Sequence, residues 1–254
     1  MTRIVIISDT QIPYHDRRAL KSIIGFIGSY QPDEVVQIGD LMDFPQPSRW
    51  SKDTAMEFQG SVFADCEYAK KNVLAELRKV YGGPIKVVEG NHDLRPRTYL
   101  AKYAPALAES NAFNLDKLLD FEGFGIELLP EFYDFAPQWT MTHGHVGGIA
   151  LSRIAGNTAL NAAKRFGKSV IMGHTHRLGQ GAHTTGYGGD IEKTVYGVEV
   201  GNLMDQKSAQ YLKGATGNWQ KGFAIAHANN TEVRVELIPI RGRQFTYNGE
   251  VFVG

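Results

Sequence analysis

Short apolar runs alternate with segments of helical periodicity in the first third of the sequence. Residues 4–7 form an uninterrupted β-branched run, which is typical of a strand covered on both faces. Leu20, Ile23 and Ile27 then recur at helical spacing, and a second apolar run covers residues 35–38. This β-α-β order predicts a mainly parallel sheet with right-handed crossover connections.

Later segments extend the pattern to the end of the chain. A long amphipathic helix is predicted over residues 54–80, with Phe58 on its apolar stripe, and another helix over residues 150–166. Residues 194–202, 222–229 and 231–240 alternate apolar and polar side chains, which predicts antiparallel strands. We therefore expect one domain, residues 1–254, of the α/β class: two packed mixed β-sheets, a β-sandwich, flanked by helices.

The composition argues against several classes of protein. Lys plus Arg and Asp plus Glu each number 27, and a net charge of zero disfavours a polybasic membrane binder or a nucleic-acid coat. No signal peptide or membrane span is recognisable, so no membrane partner is expected. The single cysteine, Cys66, lies on an apolar helical stripe and is expected to be a buried structural thiol in a cytoplasmic protein. The sequence gives no indication of an oligomeric state.

Side chains that can bind metals follow five of the apolar runs. They are Asp9, Asp40, Asn91, His143 and His174, with His176 two positions after the last. Because the carboxyl ends of strands in an open α/β sheet form the ligand crevice, these side chains should meet at one edge. Taken singly, each would also fit a turn, a helix cap or a solvated loop histidine. As an ordered set of carboxylates, an amide and imidazoles, they favour a site for Mn, Fe, Ni or Zn.

Five motifs carry a resemblance to a known family. They are Asp9-x-Gln11, Gly39-Asp40, Gly90-Asn91-His92-Asp93, His143-Gly144 and Gly173-His174-Thr175-His176. In this order, between residue 3 and about residue 202, the set resembles the calcineurin-like metallophosphoesterases. Residues 198–223 also resemble a segment of phage and bacterial members. The resemblance implies a two-sheet sandwich with two divalent metal ions at one edge.

The resemblance also implies a role for each residue. Asp9, Gln11, Asp40 and His176 would hold one metal, and Asp40 would bridge to a second metal held also by Asn91, His143 and His174. Two metals could activate a bridging hydroxide and neutralise charge on the attacking and leaving oxygens. His92 is expected to act as the general acid or as a hydrogen-bond donor to the transition state, and Asp93 to orient the His92 ring.

Gln11 departs from the family pattern, which usually has histidine at this position. A glutamine carbonyl is a harder and weaker ligand for transition metals than imidazole, so we expect a first site that favours Mn over Zn. His15 is an alternative ligand there, although a solvated turn histidine is the favoured interpretation.

Four further side chains are candidate substrate contacts. Arg49, Arg95 and Arg97 follow the metal motifs, and arginine matches phosphate geometry. For each arginine, a solvated surface charge is the alternative. His145 is expected near the metals, either in contact with substrate or in a structural role.

These features predict a metal-dependent phosphoesterase that hydrolyses P–O bonds with a metal-bridging hydroxide, with Mn as the favoured metal. Phosphodiesters are the favoured substrates, either cyclic nucleotides or the ends of nucleic acid. Phosphomonoesters, including phosphoproteins, are the alternative, and a non-catalytic metal-binding scaffold is the alternative of a different class.

Overall fold

The computed structural model describes residues 1–209 and 215–254, so residues 210–214 of the segment 198–223 lie outside the described part. Its strands are β1 (Thr2–Ile7), β2 (Glu34–Ile38), β3 (Ile85–Val88), β4 (Ile126–Leu129), β5 (Tyr133–Ala136), β6 (Trp139–Thr142), β7 (Ser169–Met172), β8 (Leu178–Tyr187), β9 (Asp190–Val200), β10 (Gly222–Ala228), β11 (Val233–Pro239), β12 (Gln244–Tyr247) and β13 (Glu250–Val253). Its α-helices are α1 (Arg17–Tyr30), α2 (Ala55–Phe58), α3 (Val62–Ala69), α4 (Ala75–Val80), α5 (Arg95–Tyr103), α6 (Leu115–Leu118), α7 (Phe121–Phe124) and α8 (Asn157–Phe166). None of the helices in these ranges is long and apolar enough to cross a membrane.

Two large sheets form the centre of the molecule. The first has the strand order β11-β10-β1-β2-β3-β4, in which β1 to β4 are parallel and β10 and β11 are antiparallel additions. The second has the order β5-β6-β7-β9-β8, with β6, β7 and β9 parallel and an antiparallel strand at each edge. The predicted antiparallel pairing holds for β10 with β11, whereas β9 pairs antiparallel with β8 but parallel with β7.

The side-chain alternation of β1 shows how the layers pack. Ile4 and Ile6 lie in the apolar cluster between the two sheets, together with Met141 and Ile171 of the second sheet. The intervening Val5 lies in a separate cluster with residues of α1 and α4. Helix α8 covers the outer face of the second sheet through its alanines. The predicted fold class, two packed mixed sheets flanked by helices, is confirmed.

The helix predicted over residues 54–80 is interrupted. Gly60 has a φ of +81° and separates α2 from α3, and Ser61 caps α3 by accepting a hydrogen bond from the Ala64 backbone N–H. Consequently Phe58 is 81% exposed, and its predicted place on the apolar stripe is wrong. From residue 62 the helix continues to residue 80 through a π-helical stretch, Lys70–Leu74. Cys66 is buried as predicted, and burial raises the pKa of its thiol to about 12.

The second predicted long helix is shorter than expected. It begins at Asn157 rather than near residue 150, because Gly156 adopts a φ of +80° immediately before it. The Gly156 backbone N–H donates a hydrogen bond to the buried carboxylate of Glu199 on β9, which fixes where α8 begins.

Candidate metal centre

The carboxyl ends of five strands meet at one edge of the sandwich. Asp9 follows β1, Asp40 follows β2, Asn91 follows β3, His143 follows β6 and His174 follows β7. Several contacts join the sheets; among them, the His174 backbone N–H donates to Asp9 Oδ2 at 2.9 Å, and His143 Nδ1 lies 3.0 Å from the Ile38 carbonyl oxygen. The sequence-predicted residues are therefore assembled in one place.

A first group of side chains surrounds Asp40. Its Oδ2 lies 3.3 Å from His143 Nε2, which is 3.3 Å from Asn91 Oδ1 and 3.2 Å from His174 Nδ1. Ligand atoms of Asp40, His143 and His174 all lie within 4.8 Å of one another, close enough to hold a single cation. Because the Ile38 carbonyl accepts from His143 Nδ1, Nε2 is the ring nitrogen that would bind a metal, on loss of its proton.

A second group of side chains surrounds Asp9. Asp9 Oδ1 lies 3.2 Å from His176 Nε2, and Gln11 Nε2 lies 3.0 Å from the same nitrogen. Gln11 Oε1 is buried and has no hydrogen-bond partner among the described residues. Because a half-turn of the carboxamide exchanges its two ends, Gln11 can present Oε1 to a cation held by Asp9 and His176.

The backbone at this edge has an uncommon conformation. Among the seven predicted ligands, these have φ in the left-handed region: Asp9 (+50°), Gln11 (+52°), Asp40 (+54°), His174 (+69°) and His176 (+61°). Each such residue costs on the order of 1 kcal/mol or more, and such conformations concentrate at functional sites. Here they occur just after the ends of β1, β2 and β7, at the common edge.

Close backbone approach at two glycines completes the assembly. A Cβ on Gly90 would lie 2.1 Å from Asp40 Oδ1 and 2.3 Å from the Asp40 backbone nitrogen. A Cβ on Gly39, whose φ is +97°, would lie 2.4 Å from His143 Nδ1. Only glycine fits at either position without displacing a predicted ligand.

The carboxylates and imidazoles strongly affect one another's charge. Burial favours a neutral Asp40, but His143 and His92 outweigh it and hold the Asp40 pKa well below its usual range. Burial likewise opposes the charged His143 imidazolium, yet Asp40 raises the pKa of His143 to about 9. Burial and the neighbouring His143 lower the pKa of His174 to about 4, so His174 is a neutral imidazole ready to act as a ligand.

His92 is oriented by a different carboxylate from the one predicted. Its Nδ1 lies 2.8 Å from Asp43 Oδ1, and its Nε2 lies 3.8 Å from Asp40 Oδ2. Asp43 also binds Arg95, whose Nη1 donates to the Asp43 carbonyl at 2.6 Å and whose Nη2 lies 3.1 Å from His92 Nε2. Sequence analysis missed Asp43, although its position three residues after Asp40 was a usable signal.

Asp93 has a structural position in the loops beside the site. Its carboxylate accepts hydrogen bonds from the backbone N–H groups of Met42 at 2.8 Å, Gly90 at 2.8 Å and Leu41 at 3.3 Å. The expected role of Asp93 in orienting His92 is therefore wrong: its oxygens join the loops after β2 and β3. Burial and Asp40 raise the pKa of Asp93 to about 7.

Two of the predicted substrate contacts line a groove next to His92. This groove, of about 390 Å³, is lined by residues including Arg49, Trp50, Arg95, Lys102 and Tyr103, and we call it the α5 groove. Arg97 lies elsewhere on α5, where its Nη2 forms an ion pair with Glu89 at 3.3 Å. The predicted substrate contact of Arg97 therefore finds no support in its position.

The predictions for His145 and His15 differ in their outcome. His145 lies near the centre, with its ring 5.4 Å from that of His143, and both of its ring nitrogens are buried without a hydrogen-bond partner in the described ranges. His15 is buried rather than solvated, because its ring packs at 5.6 Å against Tyr68 and its pKa falls to about 4 through burial. The favoured interpretation of His15 as a solvated turn residue is wrong.

Comparison with known proteins shows the family to which this chain belongs. A family model described as calcineurin-like phosphoesterase matches residues 2–178. The chain belongs to this family. The resemblance predicted from the motifs is thereby confirmed, and the family implies a phosphoester hydrolase that uses divalent metal ions. Beyond the matched region, β8 and β9 complete the second sheet and β10 and β11 complete the first.

This calcineurin-like phosphoesterase has two similar curated relatives of nearly equal length. It is 56% identical over 251 residues to the Gene 54 protein of Mycobacterium phage D29, covering 98% of each chain. It is 55% identical over 251 residues to the Gene 54 protein of Mycobacterium phage L5, again covering 98% of each chain. Among solved structures, Vps29 from Chaetomium thermophilum aligns over 100% of this chain and 99% of that chain, at 10% identity and a TM-score of 0.48. A likeness of that degree says nothing of activity.

The residues of this phosphoesterase fit the metal ions that its family implies. Asp9, Asp40 and three imidazoles supply oxygen and nitrogen ligands that together suit borderline divalent metals, and Gln11 Oε1 is a buried acceptor without a partner in the described chain.

We predict that Gly90→Ala lowers the affinity for Mn²⁺ by about 10–100-fold, because its Cβ would displace Asp40. Isothermal titration with Mn²⁺ measures the change. Gly82→Ala is the matched control, since no atom lies within 4 Å of its added Cβ. Equal Mn²⁺ affinity of the two variants would contradict the tight packing of Gly90 against Asp40.

Proposed function

We propose that this protein is a dinuclear metal-dependent phosphodiesterase whose substrates include nucleotide diesters or nucleic-acid ends. The observation that carries the proposal is the position of His92: its Nδ1 is held by Asp43, and its Nε2 faces Asp40 at the edge where both ligand groups meet. A general acid beside a metal centre is the arrangement that P–O cleavage needs.

Two metal ions are proposed from the division of the ligands into two groups. Asp9, Gln11 and His176 would hold one ion, Asn91, His143 and His174 the other, and Asp40 both. When bound, such ions supply Lewis acidity and a nucleophile derived from water at neutral pH. Since only Asp9 and Asp40 are anionic among these ligands, the loaded site would be positive and would attract an anionic phosphoester.

His92 is suited to protonate the leaving oxygen. Burial disfavours its charged form, but Asp40 and Asp43 outweigh burial and raise its pKa. With Nδ1 hydrogen-bonded to Asp43, a proton at Nε2 points toward the metal edge. Because a protonated Nε2 can no longer accept a hydrogen bond, Arg95 Nη2 has to turn away from it. A substrate oxygen can then accept the hydrogen bond of the Arg95 guanidinium.

Diesters are favoured over monoesters because of the space beside His92. The α5 groove opens next to His92 and Asn91, so a second esterified group has room on the leaving-group side.

We further propose Mn²⁺ as the working metal, because the oxygen of Gln11 suits a harder ion. The buried, unreactive Cys66 is compatible with action in the cytoplasm.

We predict that His92→Ala lowers kcat on a bis-aryl phosphodiester by ~10²–10⁴-fold and leaves Mn²⁺ binding intact. The reason is that the ring donates the leaving-group proton without belonging to either ligand group. Steady-state kinetics and Mn²⁺ titration measure the two effects. His183→Ala, on β8, is the matched control and should keep its kcat. An unchanged kcat in His92→Ala would reject the role, and a wild type inert with every metal would favour a scaffold.

We predict that Gln11→His shifts the metal preference from Mn²⁺ toward Zn²⁺, because an imidazole replaces an amide oxygen beside His176. Competition titrations of both metals against wild type and variant give the ratio of affinities. Equal affinities for Mn²⁺ and Zn²⁺ in both proteins would contradict a ligand role for Gln11.

A further inference from the structure

The α5 groove has a regular construction along one helix face. Arg95, Tyr99 and Lys102 recur at helical spacing, so their side chains line the same side of α5. Arg95 lies beside His92, whereas Lys102 is two turns further along, about 10 Å from it at 1.5 Å per residue. The groove thus leads away from the metal edge for a distance greater than one phosphate group.

Cationic side chains dominate the groove. Arg49 and Lys102 have no carboxylate within ion-pair distance anywhere in residues 1–209 and 215–254, whereas Arg95 is paired with Asp43. Glu57, which accepts a hydrogen bond from Tyr99 on this wall, forms an ion pair with Lys52 at 2.9 Å. Two unneutralised cations therefore remain available to an anionic ligand.

Aromatic rings accompany the cations. Trp50 is 73% exposed at the groove, in contrast to the buried Trp139 of the inter-sheet core. The guanidinium of Arg49 lies 4.7 Å from the centroid of the Trp50 ring, and Lys102 Nζ lies 5.1 Å from that of Tyr103. A large exposed ring beside an unpaired cation is the combination with which proteins hold an unpaired base and its phosphate.

We propose that the α5 groove binds single-stranded nucleic acid as the substrate of the phosphodiesterase. One base stacks on Trp50, the neighbouring phosphates lie against Arg49 and Lys102, and the scissile phosphate lies at His92. The inference rests on the proposed function, and it deepens that function by naming the substrate class. A cyclic mononucleotide held at His92 would leave Lys102, two helical turns away, without a contact.

The test is binding of a fluorescently labelled single-stranded DNA oligonucleotide of mixed sequence, followed by anisotropy at several salt concentrations. Full-length Mn²⁺-loaded protein carries His92→Ala to prevent cleavage. Trp50→Ala should raise Kd about tenfold at every salt concentration, because it removes stacking and no charge. Lys102→Ala should also weaken binding and make the slope of log Kd against log salt shallower by about 0.7, the share of one phosphate contact on a single strand.

Two exposed residues outside the groove serve as matched controls. Tyr187→Ala, at the tip of the β8–β9 hairpin and 94% exposed, removes an aromatic ring, and Lys21→Ala on α1 removes a cation. Both should bind the oligonucleotide as the parent protein does. Circular dichroism checks that all four variants are folded.

The outcomes distinguish failure of the nucleic-acid groove from failure of the proposed phosphodiesterase activity. If wild type hydrolyses a bis-aryl phosphodiester but Trp50→Ala and Lys102→Ala bind DNA as the parent does, the nucleic-acid groove is overturned and the phosphodiesterase is kept. If wild type is inert toward the bis-aryl diester with Mn²⁺, the proposed function itself is overturned.

Discussion

The site depends on the burial of two carboxylates, Asp9 and Asp40, at the ends of adjacent parallel strands. Both are essentially removed from water. Burial and the charge of Asp40 act to raise the pKa of Asp9, but His176 and His143 outweigh them and lower it. Buried like charges are costly unless cations or donors surround them. His143 and His176 offset part of that cost, and bound cations would offset the rest, so metal affinity and the free energy of unfolding should be linked.

The same constraint explains why the assembly of the candidate ligands was predictable from sequence. Parallel strands deliver their carboxyl ends to one edge, and Asp40 and His143 each follow an apolar run, so the two could be placed together without a structure. Asp43 could not be placed in this way, because it reaches His92 across 49 residues through the path of a loop. The polar pattern alone assigned that role to Asp93, the sequence neighbour, whose carboxylate instead joins two loops.

Local breaks in regular structure were the second limit of sequence reasoning. Apolar periodicity carried the predicted helix through Gly60, where a left-handed φ ends α2 and leaves Phe58 exposed. The α5 groove was likewise beyond reach, since Arg49 and Trp50 come from the loop before α2 whereas Lys102 comes from α5. Periodicity identifies faces within one element, but a groove between a loop and a helix depends on tertiary packing.

Anomalous diffraction from crystals grown with Mn²⁺ tests most directly whether this edge is a dinuclear centre. Two anomalous peaks are expected, one among Asp9, Gln11 and His176 and one beside His143, with the Asp40 carboxylate contacting both. Separation of the peaks by about 3.5–4 Å would match paired-metal phosphoesterase chemistry. A single peak, or manganese bound away from Asp40, would contradict it.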